Sequence, residues 1–123
     1  MVGSVQIESL SALTLFTGDM ARAVAFYKLL GFDLAQGGAA AAFTTFRVGG
    51  QFLNLTSEGK GRAMDVWGRA IFYVSDVDAM YRRTLALGLA PDFAPRDAAW
   101  NERYFHIKDP DGHEISFARP LGS

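Results

Sequence analysis

The strongest constraint on this chain is an internal repeat with an offset of 57 residues: Asp19 falls on Asp76, and Gly31 falls on Gly88. The apolar, Thr-rich run 13–17 reads as a strand, and Gly18-Asp19 then breaks it and offers a helix N-cap ahead of Met20. Met20, Ala23, Val24, Phe26, Tyr27 and Leu30 recur at spacings of three and four, which predicts an amphipathic helix stopped by Gly31. The same order returns as a strand over 70–74, a cap at Ser75-Asp76, a helix over 77–87 and a stop at Gly88. A shared strand, cap, helix and stop is hard to produce by chance.

Each half then continues in strands. Residues 32–35 read as a short strand, followed by a Gly/Ala-rich stretch whose register the sequence leaves open. Residues 43–48 and 52–56 flank Gly49-Gly50, a tight-hairpin signal. In the second half, residues 103–108, the turn Asp109-Pro110-Asp111-Gly112 and residues 113–119 predict another antiparallel pair. Residues 57–65 are polar and Gly-rich and read as a linker. The expected fold class is α+β, one domain over 1–123, with modules of about 10–57 and 67–120. Each module packs one helix against one face of a sheet and leaves the other face free to line a cleft.

Composition narrows the functions that such a cleft can serve. Half of the residues are apolar, enough for a real core, and 10 Phe with 4 Tyr and 2 Trp exceed what packing requires. A net charge of −1, spread along the chain, supplies no basic field for nucleic acid or anionic lipid. No run approaches the ~18 apolar residues of a membrane span, and no signal segment opens the chain, so a cytoplasmic protein is expected. The absence of Cys removes disulfides, thiolate metal sites and a Cys nucleophile. Gly59-Lys60-Gly61-Arg62 lacks the spacing of a phosphate-binding loop.

The segments LTLFTGDMARAVAFYKLLGF, AIFYVSDVDAMYRRTLALGL and YFHIKDPDGHEISF resemble the vicinal oxygen chelate superfamily, which includes glyoxalase I, extradiol dioxygenases and the bleomycin resistance protein. The resemblance runs from about Leu10 to Pro120. It implies two βαβββ modules forming an incomplete barrel around the active cleft, commonly in a homodimer. Metal-dependent members place His or Glu at four cleft positions. In this chain those positions carry over to Ala12, Asn54, Arg69 and Ser116. Ala has no donor atom, protonated Arg has no lone pair to give, and neutral Asn and Ser are weak ligands. The resemblance therefore implies a member without its metal, closer in this respect to the bleomycin resistance protein than to glyoxalase I, and no cofactor is expected.

Alternation along the strands extends those four positions into a cleft face. It gives Ala12, Thr14 and Phe16; Phe43, Thr45 and Arg47; Phe52, Asn54 and Thr56; Arg69, Ile71 and Tyr73; Tyr104 and His106; and Glu114, Ser116 and Ala118. Candidate ligand-binding residues are Arg47, Phe52, Asn54, Trp67, Arg69, Tyr73, Trp100, Tyr104, His106, Glu114 and Ser116. Trp67 and Trp100 precede cleft strands and are candidate stacking platforms, with packing in a dimer interface as the alternative role. Arg69 and Glu114 share a face and can form an ion pair. His113, beside a turn, reads as a surface residue, and Asp109-Pro110-Asp111-Gly112 reads as a turn alone. The expected partner is a small aromatic or amphipathic organic molecule, an antibiotic among the candidates, bound without metal. The alternative is a lyase, isomerase or dioxygenase with His106 and Glu114 as catalytic or unexpected metal-binding residues.

Overall fold

The computed structural model describes residues 5–58 and 67–122. The expected linker over 57–65 and the segment Gly59-Lys60-Gly61-Arg62 fall largely or wholly outside the described residues. Strand β1 (Ala12–Phe16) leads into helix α1 (Met20–Leu30), followed by β2 (Asp33–Gln36), β3 (Phe43–Val48) and β4 (Gln51–Thr56). The order repeats as β5 (Arg69–Tyr73), α2 (Val77–Ala86), β6 (Arg96–Asp97), β7 (Glu102–Lys108) and β8 (Glu114–Pro120). Two four-stranded mixed sheets result, ordered β1-β4-β3-β2 and β5-β8-β7-β6, with β1 parallel to β4 and β5 parallel to β8. They do not close into a barrel.

The repeated residues do the work that their types predict. Asp19 and Asp76 are the N-caps, each accepting a hydrogen bond at 3.0 Å from the backbone N–H three residues on, at Arg22 and Ala79. Gly31 ends α1 at φ 104°, and the N–H groups of Gly31 and Phe32 return to the carbonyls of Lys28 and Tyr27. Arg83 of α2 donates to the Leu30 carbonyl at 2.9 Å, so the end of the first helix is capped from the second. The Gly49-Gly50 hairpin sets the expected register, with Arg47 opposite Phe52 and Thr45 opposite Asn54. The Gly/Ala-rich stretch before β3 is fixed by Thr44, whose buried hydroxyl meets both the N–H and the C=O of Gly38. Gly37 has φ 85°, and a Cβ there would lie 2.4 Å from the Phe43 carbonyl oxygen.

One core lies between the helices and the helix-facing sides of both sheets. Leu15, Phe46, Leu53 and Leu55 of the first half join Phe105, Ile107, Ile115 and Phe117 of the second, together with Tyr27 and Leu30 of α1. Phe32 bridges the halves, its ring edge-on to Phe72 at 5.0 Å and 6.3 Å from Phe117. Burying each such aromatic contributes about 1.5–3 kcal/mol.

Two sequence expectations are corrected. His113 is 4% exposed, not a surface residue, because its ring is drawn between β1 and Trp67. The Asp109–Gly112 segment is a turn, and it is also a tie between the halves. Asp109 is buried, accepts from the Tyr27 hydroxyl at 2.8 Å and from the backbone N–H groups of Asp111 and His113, while Asp111 accepts from Gly18 N–H at 2.8 Å. Burial, the largest cause, raises the Asp109 carboxyl above its ordinary value against those hydrogen bonds. Burial and the same carboxylate raise the Tyr27 hydroxyl.

Candidate functional site

Edge strands β1 and β5 face each other across the seam between the sheets, and the seam holds a cavity of about 320 Å³. Its lining is almost wholly apolar. Leu13, Leu53 and Phe72 reach it from the helix-facing sides of their strands, and Phe52 and Ile71 from the helix-free sides. Trp67 and Leu10 also line it, and Arg69 and Gln51 are its polar side chains. Three of the expected ligand-binding residues, Phe52, Trp67 and Arg69, meet here. Alternation could not find Leu13, Leu53 and Phe72, because it assigns each strand residue to one face. At the unpaired edges of β1 and β5, side chains from both faces, Leu13 and Phe72 among them, reach the gap, and Leu53 joins them as the register partner of Leu13.

The remaining expected residues form separate groups. Asn54 sits in a ladder across three strands of the first sheet, accepting from the Thr45 hydroxyl at 2.7 Å and donating to Thr14 at 3.2 Å. Arg47 lies at the rim, 3.4 Å from Asp33. Tyr73 donates to Glu102, which also accepts from Trp100 Nε1 at 3.0 Å. Trp100 packs on Tyr104 at 5.4 Å and does not line the seam cavity.

Tyr104, His106 and Ser116 are buried on the helix-free side of the second sheet. Phe93 covers Tyr104 and His106, with its ring 5.5 Å from the first and 5.1 Å from the second. The Arg96 guanidinium stacks 3.8 Å over Phe93, and its Nε donates to the Tyr104 hydroxyl at 3.1 Å. Sequence reasoning missed Phe93 and Arg96. Their signal was an aromatic and a cation, spaced by Pro91 and Pro95, just ahead of a cleft strand.

The metal positions implied by the resemblance do not fit a metal. Ala12 offers no donor, the Asn54 amide is engaged by Thr45 and Thr14, and the Arg69 Nε donates to Glu114 at 2.7 Å, placing a cation where a ligand would stand. A different group, Asp92, His106 and Glu114, brings ligand atoms within 4.8 Å of one another. Each of its carboxylates already holds a cation, Lys108 on Asp92 at 3.0 Å and Arg69 on Glu114. Burial, then Arg69, lowers the His106 pKa below its ordinary value, outweighing Glu114 at 3.7 Å.

Paired βαβββ modules with a ligand-sized gap between edge strands define a class of two-module cleft proteins. Residues 9–117 match the Glyoxalase/Bleomycin resistance protein/Dioxygenase superfamily, and the chain belongs to it. Among solved structures, a glyoxalase/bleomycin resistance protein/dioxygenase from Nocardioides is similar at 25% identity and a TM-score of 0.73, over 98% of this chain and 89% of that one. TioX from Micromonospora sp. ML1 is similar at 26% identity and a TM-score of 0.75, over 93% of this chain and 100% of that one. An uncharacterized protein of Mycobacterium bovis is 40% identical over 48 residues, which are 39% of this chain and 32% of that protein. The chain thus spans about a third of the length of that curated relative.

Proposed function

We propose that this chain is a metal-independent small-molecule binding protein of the glyoxalase and bleomycin-resistance type, which takes an aromatic or amphipathic organic compound into the seam cavity. The carrying observation is Arg69. It occupies a position where metal-dependent relatives place a ligand, is held by Glu114, and borders an apolar cavity walled by Phe52, Trp67 and Ile71. Such a site suits a flat apolar body with a polar or acidic end. An antibiotic is one molecule of that description. A homodimer is the proposed assembly, in keeping with the exposed apolar side chains Phe43, Ile71 and Tyr73 on the helix-free faces.

Anilinonaphthalene sulfonate, an aromatic anion, is a suitable probe. Its fluorescence should rise saturably with the protein, remain unchanged in EDTA, and weaken about tenfold with Phe52→Ala. Binding abolished by EDTA and restored by a divalent metal contradicts the proposal.

The Asp92, His106 and Glu114 group favours a second reading, an enzyme using His106 and Glu114. A glyoxalase-type activity lost in both His106→Ala and Glu114→Ala, with stoichiometric metal in the purified protein, supports that reading. Full activity in both variants removes it.

A further inference from the structure

We infer that the seam cavity is the first of two linked subsites, and that Arg83 in the second binds an acidic group at the far end of the ligand. The ligand class is then an elongated aromatic compound with a second acidic group. This inference rests on the proposal that the seam binds an aromatic ligand. A second pocket of about 200 Å³ lies where the C-terminal end of α1 meets α2, with Leu30, Met80 and Arg83 of the helices in its lining. Val48 and Phe72 line this pocket and the seam cavity alike, so the two share a wall. Both residues are half-buried, and a ligand can pass over that wall without parting the core. Arg69 and Phe72 stand three residues apart on β5, about 10 Å at about 3.3 Å per residue. A molecule that meets both Arg69 and Arg83 therefore carries its acidic groups about 10 Å or more apart.

Arg83 is the cation of this pocket with donors left to give. Its Nη1 donates to the Leu30 carbonyl at 2.9 Å, and it pairs with no carboxylate among the described residues. That contact uses one of five N–H groups and anchors the guanidinium at the end of α1. A Cβ at residue 31 would lie 2.7 Å from Nη1, so Gly31 makes room for it. The other two arginines that line the pockets are engaged, Arg47 by Asp33 at 3.4 Å and Arg69 by Glu114 at 2.7 Å. Phe32 and Met80 supply apolar surface in the same pocket, which suits an aromatic acid better than a bare inorganic anion.

Two probes separate the subsites. Anilinonaphthalene sulfonate has one aromatic unit and one sulfonate, whereas bis-anilinonaphthalene sulfonate joins two such units and carries two sulfonates. The unmodified protein should bind the double probe at least about tenfold more tightly, because linkage makes the second contact intramolecular. Arg83→Met, which keeps an apolar stem and removes the guanidinium, should weaken the double probe about tenfold and leave the single probe unchanged. Asp33→Asn, an exposed change that removes the carboxylate lining the second pocket, should instead tighten the double probe about threefold, and it tests the subsite even if Arg83→Met unfolds. Arg82→Met, on a neighbouring residue outside the lining of both pockets, should alter neither probe. A double probe bound no more tightly than the single one, equal losses for both probes in folded Arg83→Met, or no response to Asp33→Asn overturns the inference. Double-probe binding that depends on Arg83 but not on Phe52, with no saturable binding of the single probe, instead overturns the seam reading and leaves the Arg83 subsite standing.

Discussion

The two halves share caps, helix, strand order and register, yet their helix-free faces differ. In the first sheet Phe43 and Phe52 are exposed around the Thr45–Asn54–Thr14 ladder, a neutral and open surface. In the second, Tyr104, His106, Ser116 and Ala118 are buried, under Phe93 and Arg96 in the case of Tyr104 and His106. The cause lies in one connection. Only residues 31–32 separate α1 from β2, whereas residues 87–95 separate α2 from β6, and the longer segment delivers Phe93 onto the sheet. The repeat therefore preserves the scaffold, while the length of a loop decides which face remains open to a ligand.

The largest expected break in this comparison is in stability. Tyr104→Ala should cost about 3 kcal/mol in urea unfolding, whereas Phe43→Ala on the open sheet should cost less than about 1 kcal/mol. Similar losses in the two variants would show that both faces are packed alike. Tyr27→Phe, which removes the hydroxyl from Asp109 across the halves, should lose about 1–3 kcal/mol. A smaller loss would mean that Phe32 and its neighbours carry the joint alone.

The covered face should also be the pH-sensitive one. The folded pKa of His106 is lowered, so its contribution to stability is complete above the ordinary imidazole value and is lost as pH falls through the lower folded value. Stability should decline on acidification below about pH 6.5, and less steeply in His106→Gln. Asp109 has the opposite sign. Its raised folded pKa means that ionisation costs stability as pH rises from the ordinary carboxylate value through the folded one, and Asp109→Asn should remove that cost. The smallest effect expected is that of Asn54→Ala, which opens the ladder and should lose about 1 kcal/mol with no change in pH dependence.

The scaffold was legible because it follows from local chemistry. Asp before an apolar helical stripe, Gly after it and Gly49-Gly50 between two strands act within a few residues of themselves, and the structure uses each as read. The two-residue Gly49-Gly50 loop also gave the pairing of Thr45 with Asn54, and alternation placed His106 and Ser116 on one face, where the structure pairs them. What escaped was set by distant partners. His113 is buried because β1 and Trp67 converge on it, and Asp109 because α1 delivers Tyr27 to it. The two-residue strand β6, too short for a periodic signal, went unread together with the segment before it.

The most direct test of the central claim is a high-resolution crystal structure of the protein as purified, with anomalous scattering data to identify any metal. The account predicts no metal among Ala12, Asn54, Arg69 and Ser116, and organic density in the seam against Phe52 and Trp67. A fully occupied metal at those positions, or held by Asp92, His106 and Glu114, would contradict it.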